Sequence, residues 1–131
     1  MTGAASGIGA ACAAALDRDG WDVVRADIQK RPGERRLDVT DEAAWNDLMA
    51  EIGPVDGLVT SAGIRTRGMI VDTSLEEWER HLRVNVTGTW LAIRAMLRAI
   101  PRGDAARRAI VTIASVNATI AVPGQAHYVA S

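Results

Sequence analysis

A single cysteine, Cys12, excludes an internal disulfide. Set in the alanine-rich run AACAAAL, it reads as a small buried hydrophobe rather than a reactive thiol. No apolar run approaches the roughly 18 residues needed to cross a bilayer, so no membrane partner is expected. Charge of one sign is also lacking: 15 Lys and Arg against 16 Asp and Glu leave a net charge of -1. The basic residues are scattered, which gives no electrostatic footprint for nucleic acid and favours a small-molecule partner. The opening MTGAASGIGA lacks the basic start and apolar stretch of a signal peptide, and a cytoplasmic location is expected. No repeat or low-complexity segment occurs, and no histidine and cysteine cluster has metal-ligand spacing, so no metal is expected. What is present, 131 residues with 48% hydrophobic content, suffices for one domain with a real core.

Short β-like runs alternate with longer helical ones, the pattern of a parallel sheet with crossover helices. The spacing predicts a helix over 8–18, stopped at Gly20, and a strand over 21–27 (WDVVRAD) ending in an acid. A weaker strand covers 35–39, reached through a charged connection containing Lys30, Pro32 and Gly33 with little room for a helix. Thr40 and Asp41 offer N-caps for a helix over 42–52, closed by Gly53 and Pro54. A buried strand over 55–63 follows. Ser74 and Glu77 have the spacing of a capping box at the head of a long helix over 75–100. That helix carries Leu82, Val86, Trp90, Ile93 and Leu97 at helical spacing. Trp78, Leu91 and Met96 widen the stripe, so part of it is expected to face another subunit. A last strand is predicted over 108–115.

The first residues that carry chemistry are Thr2, Gly3, Gly7 and Gly9 in TGAASGIG, with Ser6 and Ile8 between them. Glycines let the backbone approach a pyrophosphate closely, and the amides opening the next helix face the anion with favourable dipole polarity. Asp27, ending the next strand, is placed to accept hydrogen bonds from ribose hydroxyls and to repel a 2′-phosphate, which favours NAD. Arg25 and Arg31 nearby leave NADP possible. A phosphate loop of this kind normally hangs from a strand, yet only Met1 precedes Thr2, so the chain reads as cut at the front.

With these residues the sequence resembles a classical short-chain dehydrogenase/reductase, and the resemblance spans essentially the whole chain. The family's T-G-x-x-x-G-x-G pattern is met in full. Asp38 and Val39 match its adenine-bordering pair, and TSAG (60–63) stands where N-N-A-G is usual, with Ala62 and Gly63 kept and Ser61 replacing the second asparagine. Asn85 in VNVTG matches the asparagine that holds a relay water, the alternative being a buried asparagine paired with backbone. Ser115 and Tyr128 stand at the spacing of the catalytic serine and tyrosine.

The resemblance implies a Rossmann-like doubly wound parallel sheet without its first strand and its C-terminal part. It implies hydride transfer between a nicotinamide cofactor and an alcohol or ketone, with Tyr128 as acid and base, Ser115 holding the substrate oxygen and Asn85 the water. A free phenol has a pKa of about 10 and needs a nearby cation, in the family a lysine one helical turn after the tyrosine. The chain ends at Ser131, just short of that position, and its one lysine is Lys30. It is therefore expected to be a fragment, inactive alone, of an enzyme that forms homodimers or homotetramers. The competing reading is a catalytically inactive nucleotide-binding regulator on the same fold. His81 reads as an exposed or capping residue, His127 as a neighbour of Tyr128 that could line the pocket, and Arg65 and Arg67 as a solvated loop.

Overall fold

The computed structural model describes residues 1–29 and 31–131; Lys30 lies outside the described residues. Helices α1 (Gly7–Arg18), α2 (Glu42–Ile52), α3 (Leu75–His81), α4 (Gly88–Ala99) and α5 (Ala126–Val129) alternate with strands β1 (Ala26–Asp27), β2 (Arg35–Arg36), β3 (Gly57–Thr60) and β4 (Ala109–Thr112).

All strand pairs are parallel, as the alternation predicted, but they form two pairs, β1 with β2 and β3 with β4, rather than one continuous sheet. Met1 and Thr2 lie between them. The Met1 carbonyl accepts from the Ala26 amide at 2.9 Å, and the Thr2 amide donates to the Val59 carbonyl at 3.0 Å. Thr2 also bridges Ala26 in parallel register. The spatial order is thus β2, β1, Met1–Thr2, β3, β4, with the chain reversing its winding direction at the centre, which is the doubly wound arrangement.

The strands are shorter than predicted. Within 21–27 only Ala26 and Asp27 form a strand, paired with Arg35 and Arg36 on one side, while Ala26 bridges Thr2 on the other. The predicted 35–39, 55–63 and 108–115 contract in the same way to β2, β3 and β4.

Helix α2 starts where Asp41 accepts from the Ala43 and Ala44 amides. Its Trp45 is buried and donates from Nε1 to the Val39 carbonyl at 3.0 Å. Trp45 and Leu48 of α2 pack with Leu91, Ala92, Ala95 and Met96 of α4 and with Ala26, Leu37, Val39 and Leu58 from the strand layer. Burying each of the larger side chains contributes about 1.5–3 kcal/mol. Ile110 and Val111 of β4 stay exposed.

The long helix predicted over 75–100 is one rod with a change of winding. Residues Leu82–Thr87 form a π-helical turn between α3 and α4. Widened turns of this sort are frequent at functional sites. Half of the predicted capping box forms: the Ser74 hydroxyl accepts from the Glu77 amide at 3.1 Å, while the Glu77 carboxylate turns instead to Thr66 and Arg80. The wide apolar stripe divides. Leu91 and Met96 enter the core, and Val86, Trp90 and Leu97 remain exposed, with the Arg94 guanidinium 4.1 Å over the Trp90 ring. Cys12 is half-buried rather than buried.

Candidate functional site

A cleft of about 920 Å³ opens along the ends of the strands, a volume at the upper end of the usual range for small-molecule sites. It is lined by Gly3, Ser6, Gly7, Ile8, Gly9, Asp27, Asp38, Val39, Ser61, Ala62, Gly63, Asn85, Ser115 and Tyr128. Chain topology thus brings all but one of the predicted site residues into one cavity. The exception is Thr2, which is buried and turned inward: its hydroxyl accepts from the Ser61 and Ala62 amides at 3.2 and 3.3 Å. It locks the glycine loop to the turn after β3 instead of lining the cleft.

That lock leaves no room for side chains. Gly3 has φ +65°, and a Cβ there would lie 2.6 Å from the Ala62 nitrogen. A Cβ on Gly9 would fall on the Gly3 carbonyl, far inside contact distance. The loop is therefore packed backbone to backbone, and α1 begins directly beneath it. Ser6, at its N-cap, makes no side-chain capping bond, so the first-turn amides of α1, which have no intrahelical partner, are free for an anion in the cleft.

Asp27 sits where β1 meets this loop. Its Oδ2 accepts from the Ala5 amide at 3.0 Å and its Oδ1 from the Gln29 amide at 2.9 Å, which fixes the carboxylate plane and leaves further lone pairs for a ligand. Arg25 does not compete there, because it is paired with Asp17, and neither Arg25 nor Arg31 lines the cleft. Asp38 accepts from the amide and hydroxyl of Thr40 at 2.9 and 2.8 Å. Val39 closes the cleft floor from the core side.

At the other end, Asn85 lies in the π turn. Its Oδ1 accepts from the Ile64 amide at 2.9 Å, and its Nδ2 donates to the Ile64 carbonyl at 3.0 Å and to Ser131 Oγ at 2.8 Å. Asn85 thus joins the Ile64 backbone to the Ser131 hydroxyl. Ser115 caps a short 3-10 turn, Val116–Ala118, by accepting from the Asn117 amide at 3.2 Å, which leaves its own proton free. Tyr128 is half-buried on α5, and no partner for its hydroxyl occurs among the described residues. Arg65 lines the cleft rather than facing only solvent; Arg67 is exposed.

His81 corrects the expectation of an exposed residue. It is fully buried, its ring edge-on to the equally buried His127 at 4.4 Å between centroids. With Glu77 they form a cluster whose ligand atoms all lie within 4.8 Å of one another. Sequence reasoning missed it because only Glu77 and His81 are close in the chain. Their separation of one helical turn was the one available signal.

A family model described as short chain dehydrogenase matches residues 1–131. Cyclopentanol dehydrogenase of Comamonas sp. (strain NCIMB 9872) is 33% identical over 150 residues, covering 100% of this chain and 59% of that protein. A protein of Xanthobacter autotrophicus named inactive 2-(S)-hydroxypropyl-CoM dehydrogenase 2 is 40% identical over 124 residues, covering 90% of this chain and 53% of the relative. A solved structure described as 4-hydroxyisoleucine dehydrogenase complexed with NADH and succinate superposes with a TM-score of 0.88 at 27% identity, covering 99% of this chain and 64% of that one. The chain thus spans little more than half the length of these curated relatives. No helix among the described residues is long and apolar enough to cross a membrane.

Proposed function

Because the chain belongs to the short-chain dehydrogenase family, we propose that it is the cofactor-binding portion of an NAD-dependent oxidoreductase acting on a small alcohol or ketone. The observation that carries this reading is the single cleft in which the glycine loop, Asp27, Ser115 and Tyr128 meet.

The residues present fit a dinucleotide. Backbone contact at Gly3 and Gly9 leaves a cradle without side chains, the uncapped N-terminus of α1 suits a pyrophosphate, and Asp27 offers acceptor lone pairs to a ribose diol. A carboxylate there repels a 2′-phosphate, and Arg25 is occupied by Asp17, which favours NAD over NADP. When bound, a nicotinamide supplies the hydride chemistry that protein side chains lack. The solved neighbour is described as complexed with NADH, and relatives are named cyclopentanol dehydrogenase and D-threitol dehydrogenase.

The chain's own residues orient the substrate and move a proton. Ser115 Oγ, already accepting from Asn117, keeps its proton for a substrate oxygen and holds it in place. The Tyr128 hydroxyl gives a proton to that oxygen in reduction and takes one in oxidation. Its phenol needs a cationic neighbour to work near neutral pH, which the family resemblance puts one helical turn further on. Asn85 secures the loop at Ile64 and sets the wall of the cleft, with a relay water as its further role. The exposed Val86, Trp90 and Leu97 suit a homodimer or homotetramer interface.

The test is to follow nicotinamide absorbance with a panel of alcohols and ketones, using the whole protein in which this chain occurs. Turnover that falls at least about 100-fold in Tyr128→Phe, with NADH binding kept, supports the enzyme. NADH binding without turnover by the unaltered protein points to a binding protein on the same fold.

A further inference from the structure

Outside the cleft lining lies the cluster of Glu77, His81 and His127. Glu77 and His81 share one face of α3, and His127, the residue before Tyr128, meets them from α5. Thr66, from the loop after β3, stands between the three. Its Oγ1 is 2.6 Å from Glu77 Oε1, 3.0 Å from His127 Nε2 and 3.4 Å from His81 Nε2.

The protons in this cluster can be counted. His81 Nδ1 is 2.8 Å from the Glu77 carbonyl oxygen, which only accepts, so Nδ1 carries the ring hydrogen and Nε2 of the neutral ring presents a lone pair. The Thr66 hydroxyl has one proton, directed by the shortest contact to Glu77. Nothing remains to donate to His81 Nε2. If His127 carries its hydrogen on Nε2, it donates to Thr66, and its Nδ1 lone pair faces Thr73 Oγ1 at 3.5 Å. That threonine has already given its proton to the Met69 carbonyl at 2.9 Å. If His127 carries it on Nδ1, two ring lone pairs converge on Thr66. Either tautomer leaves two buried imidazole nitrogens without a donor, which is costly when the rings are 0% and 1% exposed.

A site rich in lone pairs and short of protons suits a cation. Two imidazoles and one carboxylate are ligands of the zinc class, and a ring whose other nitrogen donates to a carbonyl is the usual posture of a metal-bound histidine. Glu77 keeps partial solvent access, its side chain being 29% exposed, which gives an ion a way in. An ion with bonds of about 2.0–2.2 Å would take the central place that the Thr66 hydroxyl fills, with that side chain turning aside and the three ligands drawing inward.

We propose that Glu77, His81 and His127 bind one divalent transition-metal ion of the zinc class, fastening the turn that carries Tyr128 to helix α3. The ion is structural, and the site stands independently of the hydride-transfer reading.

The test is a calorimetric titration of the protein, free of affinity tags and stripped with chelator, with zinc sulfate, paired with visible absorption after adding cobalt(II). The expected result is one ion per chain, a cobalt spectrum of a low-coordinate nitrogen and oxygen site, and affinity reduced at least about 10-fold in both Glu77→Gln and His127→Gln. Glu77, the partly exposed member, keeps the comparison decisive if a histidine variant fails to fold by circular dichroism. Zinc binding that is absent, or that is unchanged in folded Glu77→Gln, overturns the proposal. So does a metal-free protein in which NMR finds one ring protonated beside Glu77 and zinc does not displace that proton. None of these readouts uses turnover, so failure here leaves the oxidoreductase reading intact, and the converse holds.

Discussion

Asn85 holds both backbone polar groups of Ile64, accepting from its amide at 2.9 Å and donating to its carbonyl at 3.0 Å. The π turn sets this clamp at the mouth of the cleft. Asn85→Asp keeps the acceptor but removes the donors and turns a carboxylate oxygen toward the Ile64 carbonyl. It should cost about 2 kcal/mol in urea unfolding and weaken NADH binding as well. Unchanged stability would mean that the clamp does not hold the loop.

The Thr2 hydroxyl serves two amides at once. Thr2→Val keeps the shape and strands the Ser61 and Ala62 amides in a buried site, so a loss of about 1–3 kcal/mol is expected. Thr2→Ser should retain most of the stability. A loss in Thr2→Ser without one in Thr2→Val, measured by thermal melting, would assign the effect to packing of the methyl group instead.

Gly9 meets the Gly3 carbonyl where a Cβ would have to sit. Gly9→Ala is expected to destabilise the chain by about 3 kcal/mol, since the obstruction is backbone and cannot swing aside. NADH affinity should fall with it, as read by fluorescence titration.

Asp27 joins the glycine loop to β1 through the Ala5 and Gln29 amides. Asp27→Ala should weaken NADH binding by about 10-fold, equivalent to about 1.4 kcal/mol, while NADPH binding changes less. Tighter NADPH than NADH binding by the unaltered protein would reverse the assigned preference.

Glu42 ties the first turn of α2 to Arg94 and Arg98 of α4. Hydrogen bonding from Arg94 foremost, then the charges and hydrogen bond of the two arginines, holds its carboxyl below the ordinary value of 4.5. A folded value lower than the unfolded one means that the contribution is full above about pH 4.5 and disappears as pH falls through the depressed value. The pair is solvent-exposed, so the effect is small and weakened by salt. Melting curves of Glu42→Gln should lie slightly below those of the parent at neutral pH and converge with them in acid.

Much of this was legible from local pattern. The Asp41 cap, offered together with Thr40, the helix over 42–52 and the Gly3 and Gly9 positions follow from spacing and residue type, whereas the apolar stripe of the long helix did not separate buried Leu91 and Met96 from exposed Val86, Trp90 and Leu97. What local pattern misjudged depended on distant partners. β1 is confined to Ala26 and Asp27, the two residues in register with Arg35 and Arg36. Glu77 left its half of the capping box because Thr66 and Arg80 competed for the carboxylate. Thr2 left the predicted cofactor contacts because the turn after β3 presented it with two amides.

By itself the sequence determined the alternation of strand and helix and the glycine loop, since periodicity and short motifs are encoded within a few residues of chain, and its resemblance to one family implied Asp27, Asn85, Ser115 and Tyr128 as a set. Only the tertiary structure decided that Met1 and Thr2 bridge two strand pairs, that Asn85 grips Ile64, and that His81 and His127 lie ring to ring out of water. Each of those joins residues far apart in sequence, and their energies come from burial and from hydrogen bonds between distant groups, which form only once the chain has folded.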